Sequence, residues 1–256
     1  MKNPIIIVFI LFILIHGGVV AQMAGNPVGA QGGEWSIGLS TSTLRHVIGA
    51  YTSDSQRHLL KSAWGLAPFV DFYVMAGGVQ LKMESDSKAL EPFKGKYRLG
   101  IGTGLKLNLI DDKTAGFGLW VDGRIFRFTA AGAYEELQMI NGASYYREHK
   151  LYYDWREFRC DVGLTIPVKR VKFYAAGSLL NIWRKDTKNE YLNDGENKTY
   201  LGKVKDEYKS GNWIGGLAGI EVQLPERYHL SVEFLGLNKK NYQIMVGISQ
   251  TGMSQW

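Results

Sequence analysis

In residues 96–109 the side chains divide by parity, and that division constrains the fold more than any other feature. Tyr97, Leu99, Ile101, Thr103, Leu105, Leu107 and Leu109 fall on one side, while Lys96, Arg98, Gly100, Gly102, Gly104, Lys106 and Asn108 fall on the other. A period of two marks a β-strand with one apolar and one polar face; a helix would scatter these leucines around its circumference. The division recurs down the chain. Phe158, Cys160, Val162, Leu164 and Ile166 oppose Arg159, Asp161, Gly163 and Thr165. Ile214, Ala218, Ile220, Val222 and Leu224 oppose Gly215, Gly219, Glu221 and Gln223. Tyr228, Leu230, Val232 and Phe234 oppose His229, Ser231 and Glu233, and Tyr242, Ile244, Val246 and Ile248 oppose Gln243, Gly247 and Ser249.

These rows predict ten strands, at residues 34–43, 62–76, 79–84, 96–110, 115–129, 151–167, 171–184, 211–224, 228–237 and 241–250. Tight links are expected at Gly77-Gly78, Asp111-Asp112-Lys113-Thr114, Val168-Lys169-Arg170 and Pro225-Glu226-Arg227, alternating with long polar stretches at 43–62, 85–95, 131–150 and 186–210. Short turns on one rim and long loops on the other are the arrangement of transmembrane barrels. The expected fold is therefore all-β, a closed antiparallel up-and-down transmembrane β-barrel. Eight strands follow if 79–84 and a neighbour are not separate, and twelve require strands inside the long stretches. An even count returns both termini to the short-turn side, the periplasmic one in a bacterial outer membrane.

A water-soluble sandwich also alternates, so the polar parity decides the environment. In water that parity would be the outer surface, where glycine weakens a strand and packs nothing. Here Gly100, Gly102, Gly104, Gly118, Gly163, Gly215 and Gly219 all lie on it. Glycines lining a narrow lumen instead leave room for charged side chains from opposite walls. The apolar parity, with Leu99, Ile101, Leu105, Leu107, Val162, Leu164, Ile220, Val222, Val232, Phe234, Ile244 and Val246, then faces lipid. Closure leaves no backbone edge exposed to hydrocarbon.

The first residues agree with export. Lys2 precedes an unbroken apolar run at 5–15, Gly17-Gly18 break it, and Val19-Val20-Ala21 supply small residues for a signal peptidase. Residues 1–21 read as a cleaved signal peptide, 22–33 as a lead segment and 34–256 as the barrel domain; a retained anchor is the alternative, at marginal length for a span. No later apolar run reaches helix-spanning length. Cys160 is the single cysteine, which excludes an intrachain disulfide and a thiolate metal cluster. The formal charge of +6 is spread without a basic tail or a Lys/Arg-rich helix, so nucleic acid is not an expected partner. A mildly basic surface suits anionic lipid headgroups or lipopolysaccharide.

Trp35, Trp64, Tyr97, Trp155, Trp183, Trp213, Tyr228 and Tyr242 fall near expected strand ends, where a membrane interface favours them. With these features, and most of all the run Tyr97-Arg98-Leu99-Gly100-Ile101-Gly102-Thr103-Gly104-Leu105, the chain resembles the small outer-membrane β-barrel proteins of Gram-negative bacteria, the broad OmpA/OmpX-like group. The resemblance is architectural and covers most of 34–256. It implies residence among outer-membrane lipid and lipopolysaccharide. It also implies insertion by the barrel assembly machinery, to which an aromatic C-terminal residue such as Trp256 would be the signal.

The candidate site is the expected lumen. Lys82, Lys96, Arg98, Lys106, Arg124 and Arg159 face Asp71, Glu84, Asp122, Glu157, Asp161, Glu221 and Glu233. Near-equal charge is what a plug of ion pairs needs, because buried charges must be paired; a small-solute pore with charged walls is the alternative. His229, Ser231 and Glu233 suggest a lipid or peptide hydrolase, but residues of one parity lie ~7 Å apart along a strand, too far for a direct relay. His46, His58 and His149 show no ligand-like spacing, so neither metal nor cofactor is expected. The reading is a non-enzymatic envelope protein whose long loops, including 135–150 and 186–210 with Tyr145-Tyr146 and Tyr152-Tyr153 beside them, serve structure or surface binding.

Overall fold

A computed structural model describes residues 33–48, 51–85, 93–110, 112–140, 143–193, 197–210 and 213–253. The expected signal peptide, the lead segment up to residue 32 and Trp256 lie outside the described residues. Twelve strands follow one another: β1 (Glu34–Ile48), β2 (Tyr51–Ala67), β3 (Val70–Ser85), β4 (Phe93–Lys94), β5 (Arg98–Ile110), β6 (Gly118–Ile140), β7 (Ala143–Val168), β8 (Val171–Asn193), β9 (Lys198–Lys209), β10 (Trp213–Gln223), β11 (Tyr228–Asn238) and β12 (Asn241–Met253).

Ten of them close a ring in the order β1-β2-β3-β5-β6-β7-β8-β10-β11-β12, with β12 returning to β1. Every ladder in it is antiparallel. Short connections between sequential strands make the pairing antiparallel, and the period-two pattern fixes the register, since sliding a strand by one residue would turn every leucine inward. Glu34 pairs with Met253, so both described ends of the chain meet at one rim. That rim carries tight connections, and Lys239-Lys240 makes another between β11 and β12 on the opposite rim. Lys169 turns β7 into β8 with φ 57°, Glu226 and Arg227 do the same between β10 and β11, and a single helical turn at Asp112–Ala115 ends on Gly116 with φ 75°.

Ten strands close the ring, the number expected, but the expected strands 62–76 and 79–84 are the end of β2 and most of β3, and β4 and β9 lie within stretches expected as loop. The turn expected at Gly77-Gly78 is continuous β3, and the true turn lies at Pro68-Phe69, between β2 and β3. Gly77 is there for a different reason: a Cβ on it would collide with the backbone carbonyl of His58 on β2. The stretch 43–62, read as loop, belongs mostly to β1 and β2. Within 131–150 and 186–210 the described residues are likewise mostly extended ladder rather than loop. Runs of successive polar residues such as Lys185-Asp186-Thr187-Lys188 hide the alternation there.

Those extensions form a tower on one side of the barrel. The β6–β7 ladder runs up to Ile140↔Ala143 and β7–β8 up to Tyr146↔Asn193. β8 leaves β10 after Leu180↔Trp213 and continues against β9. At ~3.3 Å per residue, the part of β8 beyond Trp183 projects ~33 Å.

Candidate functional site

Side chains are distributed in the reverse of a water-soluble protein. Leu99 is 69% exposed, Leu105 51% and Val162 52%; Ile101, Leu107, Leu164, Ile220, Val232, Phe234, Ile244 and Val246 are exposed with them, and Val222 is half-buried. On β5 this row runs from Leu99 to Leu109, ~34 Å along the strand, or ~26 Å along the axis of a barrel whose strands tilt ~40°. Aromatic residues border it. Trp64 stacks with Phe72 at the short-turn end, and at the other end Tyr97 meets His58, whose second ring nitrogen lies 3.1 Å from Thr41 Oγ1. Trp155 and Trp213, expected at this border, instead lie inside. The Trp155 indole donates to Glu157, and the Trp213 ring lies 3.8 Å from that of buried His46. Both occupy strand segments above the apolar belt, where the inner parity is itself aromatic.

The interior holds buried charges at the level of the belt and an apolar cluster, with Val79, Leu81, Met83 and Phe128, nearer the tower. Arg159 is 2% exposed, Asp161 0% and Glu233 1%. Arg159 donates through Nε to Asp161 (2.8 Å), through one Nη to Gln243 (3.2 Å) and through the other to Glu233 (3.3 Å), while Ser178 donates to Asp161. Tyr73 donates to Asp122 at 2.8 Å, with the Lys61 ammonium 3.6 Å from the Tyr73 ring centroid. Asp71 accepts from Asn108 at 3.2 Å; Lys106 lies opposite it in the β3–β5 ladder. Nearer the tower, Arg57 forms a two-pronged pair with Glu157. His229 turns to Glu221 at 3.0 Å.

Of the expected lumen residues, Asp71, Lys106, Asp122, Arg124, Glu157, Arg159, Asp161, Glu221 and Glu233 share this interior. Four do not. Lys82 and Glu84 are on the outer parity of β3, because Val79, Leu81 and Met83 are the buried row there; Lys96 precedes β5 and Arg98 opens it, both exposed. Near the tower the inward row is apolar and the outward row wet, so the rule that polar means lumen inverts. Arg57, Lys61 and Arg184 were missed. The first two sit in the segment read as loop, yet Ser53, Ser55, Arg57, Leu59, Lys61 and Ala63 form one buried parity that a longer window would have shown. The hydrolase candidates split up: His229 engages Glu221, Glu233 receives Arg159, and Ser231 is buried between them on β11. Among the described residues no group of three His, Cys, Asp or Glu side chains is placed to hold a metal ion.

The lumen glycines accommodate rings as well as ions. Tyr73 lies over Gly104, Trp120 over Gly163 and Tyr174 over Gly219, each so close that a methyl group would overlap the ring. Trp120 is fixed by an indole hydrogen bond to Thr165 (3.1 Å). Alanine ordinarily improves a strand over glycine, but G163A also sets its Cβ 2.8 Å from the Ala175 carbonyl oxygen. We expect a loss of about 1–3 kcal/mol from overpacking, measured by urea unfolding in detergent; a gain in stability would show the ring contact is loose.

A cavity of about 30 Å³ lies among Ser42, Arg57, Lys61, Arg124, Glu157 and Gln243. It has room for a water or two, not a solute. Above it Arg184 forks onto Asp186 with both contacts at 2.7 Å and lies against Tyr208 and Tyr153. In the tower, hydrogen bonds from Lys188 first and then Arg147 hold the Glu190 carboxyl down at about 2, so this carboxylate stays ionised in all but strongly acidic surroundings.

No protein-family model and no curated protein matches the sequence. Solved structures do match the fold. The translocator domain of the autotransporter NalP from Neisseria meningitidis aligns with TM-score 0.51 at 10% identity, over 88% of this chain and 89% of that one. The outer membrane protease OmpT from Escherichia coli aligns with TM-score 0.39 at 13% identity over 86% and 95%, and OprG from Pseudomonas aeruginosa with 0.37 at 11% over 88% and 98%. At 10% identity the NalP likeness concerns architecture alone, and what it shows is that this chain has the β-barrel fold of an outer-membrane translocator domain.

Proposed function

We propose that the chain is an integral outer-membrane barrel, exported by a signal peptide cleaved after Ala21, with both termini periplasmic. Its lumen is closed by ion pairs, and its role is to anchor and present the β6–β9 tower, as an envelope structure or a binding surface. One observation carries this reading: leucine rows are exposed while Arg159, Asp161 and Glu233 are withdrawn from solvent. A water-filled channel leaves its wall charges wet, and a soluble protein buries its leucines. A ring of ten strands is also near the size that side chains alone can fill; water-conducting porins have ~16–18.

Recording from planar bilayers tests it. The parent protein is expected to insert without discrete conductance steps. Regular unitary steps would overturn the plug and establish the small-solute pore.

A further inference from the structure

We infer that the tower's base carries a binding site for the phosphate groups of an outer-leaflet lipid; this rests on the membrane reading above. The site is one rung of the outer face. Arg127 on β6 pairs with Arg156 on β7, Arg156 with Trp183 on β8, and Trp183 with Lys209 on β9. Four neighbouring strands thus present three cations and an indole in a line ~14 Å long at the usual strand spacing.

Its position identifies the ligand. Two residues toward the short-turn rim, the same columns hold Ile125, Phe158 and Asn181, and four residues further on β6 and β7 they hold Val121 and Val162. The rung is therefore the first outward charge above the apolar belt. Here acyl chains end and headgroups begin, and an indole is favoured. The cations are also positioned. Asp154, one rung higher, accepts from Arg127 at 2.9 and 3.1 Å and from Arg156 at 2.8 Å, which splays both guanidiniums across the face. Lys209 lies 6.0 Å from the Trp183 ring. Lys185 pairs with Glu207 at 2.6 Å on the same rung as Asp154. Four cations face two carboxylates, so the patch keeps a positive excess. Arg127 is 56% and Arg156 49% exposed, which leaves them open to a planar, two-pronged contact with phosphate. Acyl tails on the belt below would add the apolar half of the interaction.

The test uses the folded full-length protein in neutral detergent, its fold verified by heat-modifiable gel migration. It is titrated with a bisphosphorylated, multiply acylated glucosamine lipid, with the dephosphorylated lipid, or with inorganic phosphate, and bound lipid is counted by native mass spectrometry. The parent is expected to bind the phosphorylated lipid at least tenfold more tightly than the dephosphorylated one. R127Q/R156Q/K209Q is expected to lose that preference. K94Q/K239Q/K240Q, which removes as much charge from exposed sites elsewhere, is expected to keep it. Equal binding of both lipids by the parent, or an unchanged preference in the rung variant, overturns the inference. So does full competition by inorganic phosphate at equal concentration, which would make this a free-anion site. If the parent instead fails to insert into vesicles, the membrane reading itself has failed, and that result is separate from the binding comparison.

Discussion

Arg159→Ala is expected to destabilise the barrel by about 3–5 kcal/mol, the cost of leaving buried charges without their partner. The guanidinium reaches Asp161, Glu233 and Gln243 on three different strands, so its removal takes the hydrogen-bonded cation from two carboxylates in a space closed to solvent. Truncation alone is not the cause of the loss: R159M combined with D161N and E233Q, which neutralises the set while keeping its volume, is expected to recover most of it. Ser178 can still donate to the amide oxygen at 161. Urea unfolding in detergent measures both variants. A loss below about 1 kcal/mol for R159A would place these side chains in water, in the range of exposed ion pairs, and the plug would then be a lined channel.

Leu105→Arg tests the other face. At mid-belt an outward arginine costs ~2–4 kcal/mol in a lipid-embedded barrel, falling to ~0–1 near the interface. Leu99→Arg, beside Tyr97 at the belt's edge, is therefore the matched control. Folding into lipid vesicles, followed by gel migration across a urea series, should rank parent and L99R close together with L105R far below. On a soluble protein both are exposed surface changes worth within about 0.5 kcal/mol, and their equality would contradict the membrane assignment.

Much of this architecture was legible because a barrel wall has simple rules. Where one face meets lipid and the other meets ions, parity alone fixes strand, face and register, as in β5, β7 below Trp155, β10, β11 and β12. Legibility failed wherever that contrast vanished. Beyond the belt β8 carries Lys185, Asp186, Thr187 and Lys188 in succession, a string that looks like loop because both faces are polar, although β7 and β9 pair with it throughout. Gly77-Gly78 imitated a turn because glycine serves close backbone approach as readily as it serves reversal. Within the site, the core charges of β5, β7 and β11 could be assigned by parity. Arg57 and Lys61 cannot, because the polar run around them reads as loop. The glycine rows point inward as expected, but that an aromatic ring from the adjoining strand covers five of them, Gly100 and Gly102 under Phe126 included, is a tertiary fact with no mark in the local sequence.

The most direct test is a nitroxide scan of residues 105–109 in a C160S background, with the protein folded in lipid vesicles and collisions measured against dissolved oxygen and a water-soluble nickel chelate. Oxygen contact should peak at 105 and 107, with the nickel reagent excluded there, and fall at 106 and 108. Strong nickel contact at 105 and 107 would mean that the leucine rows lie in water, and the account would be wrong.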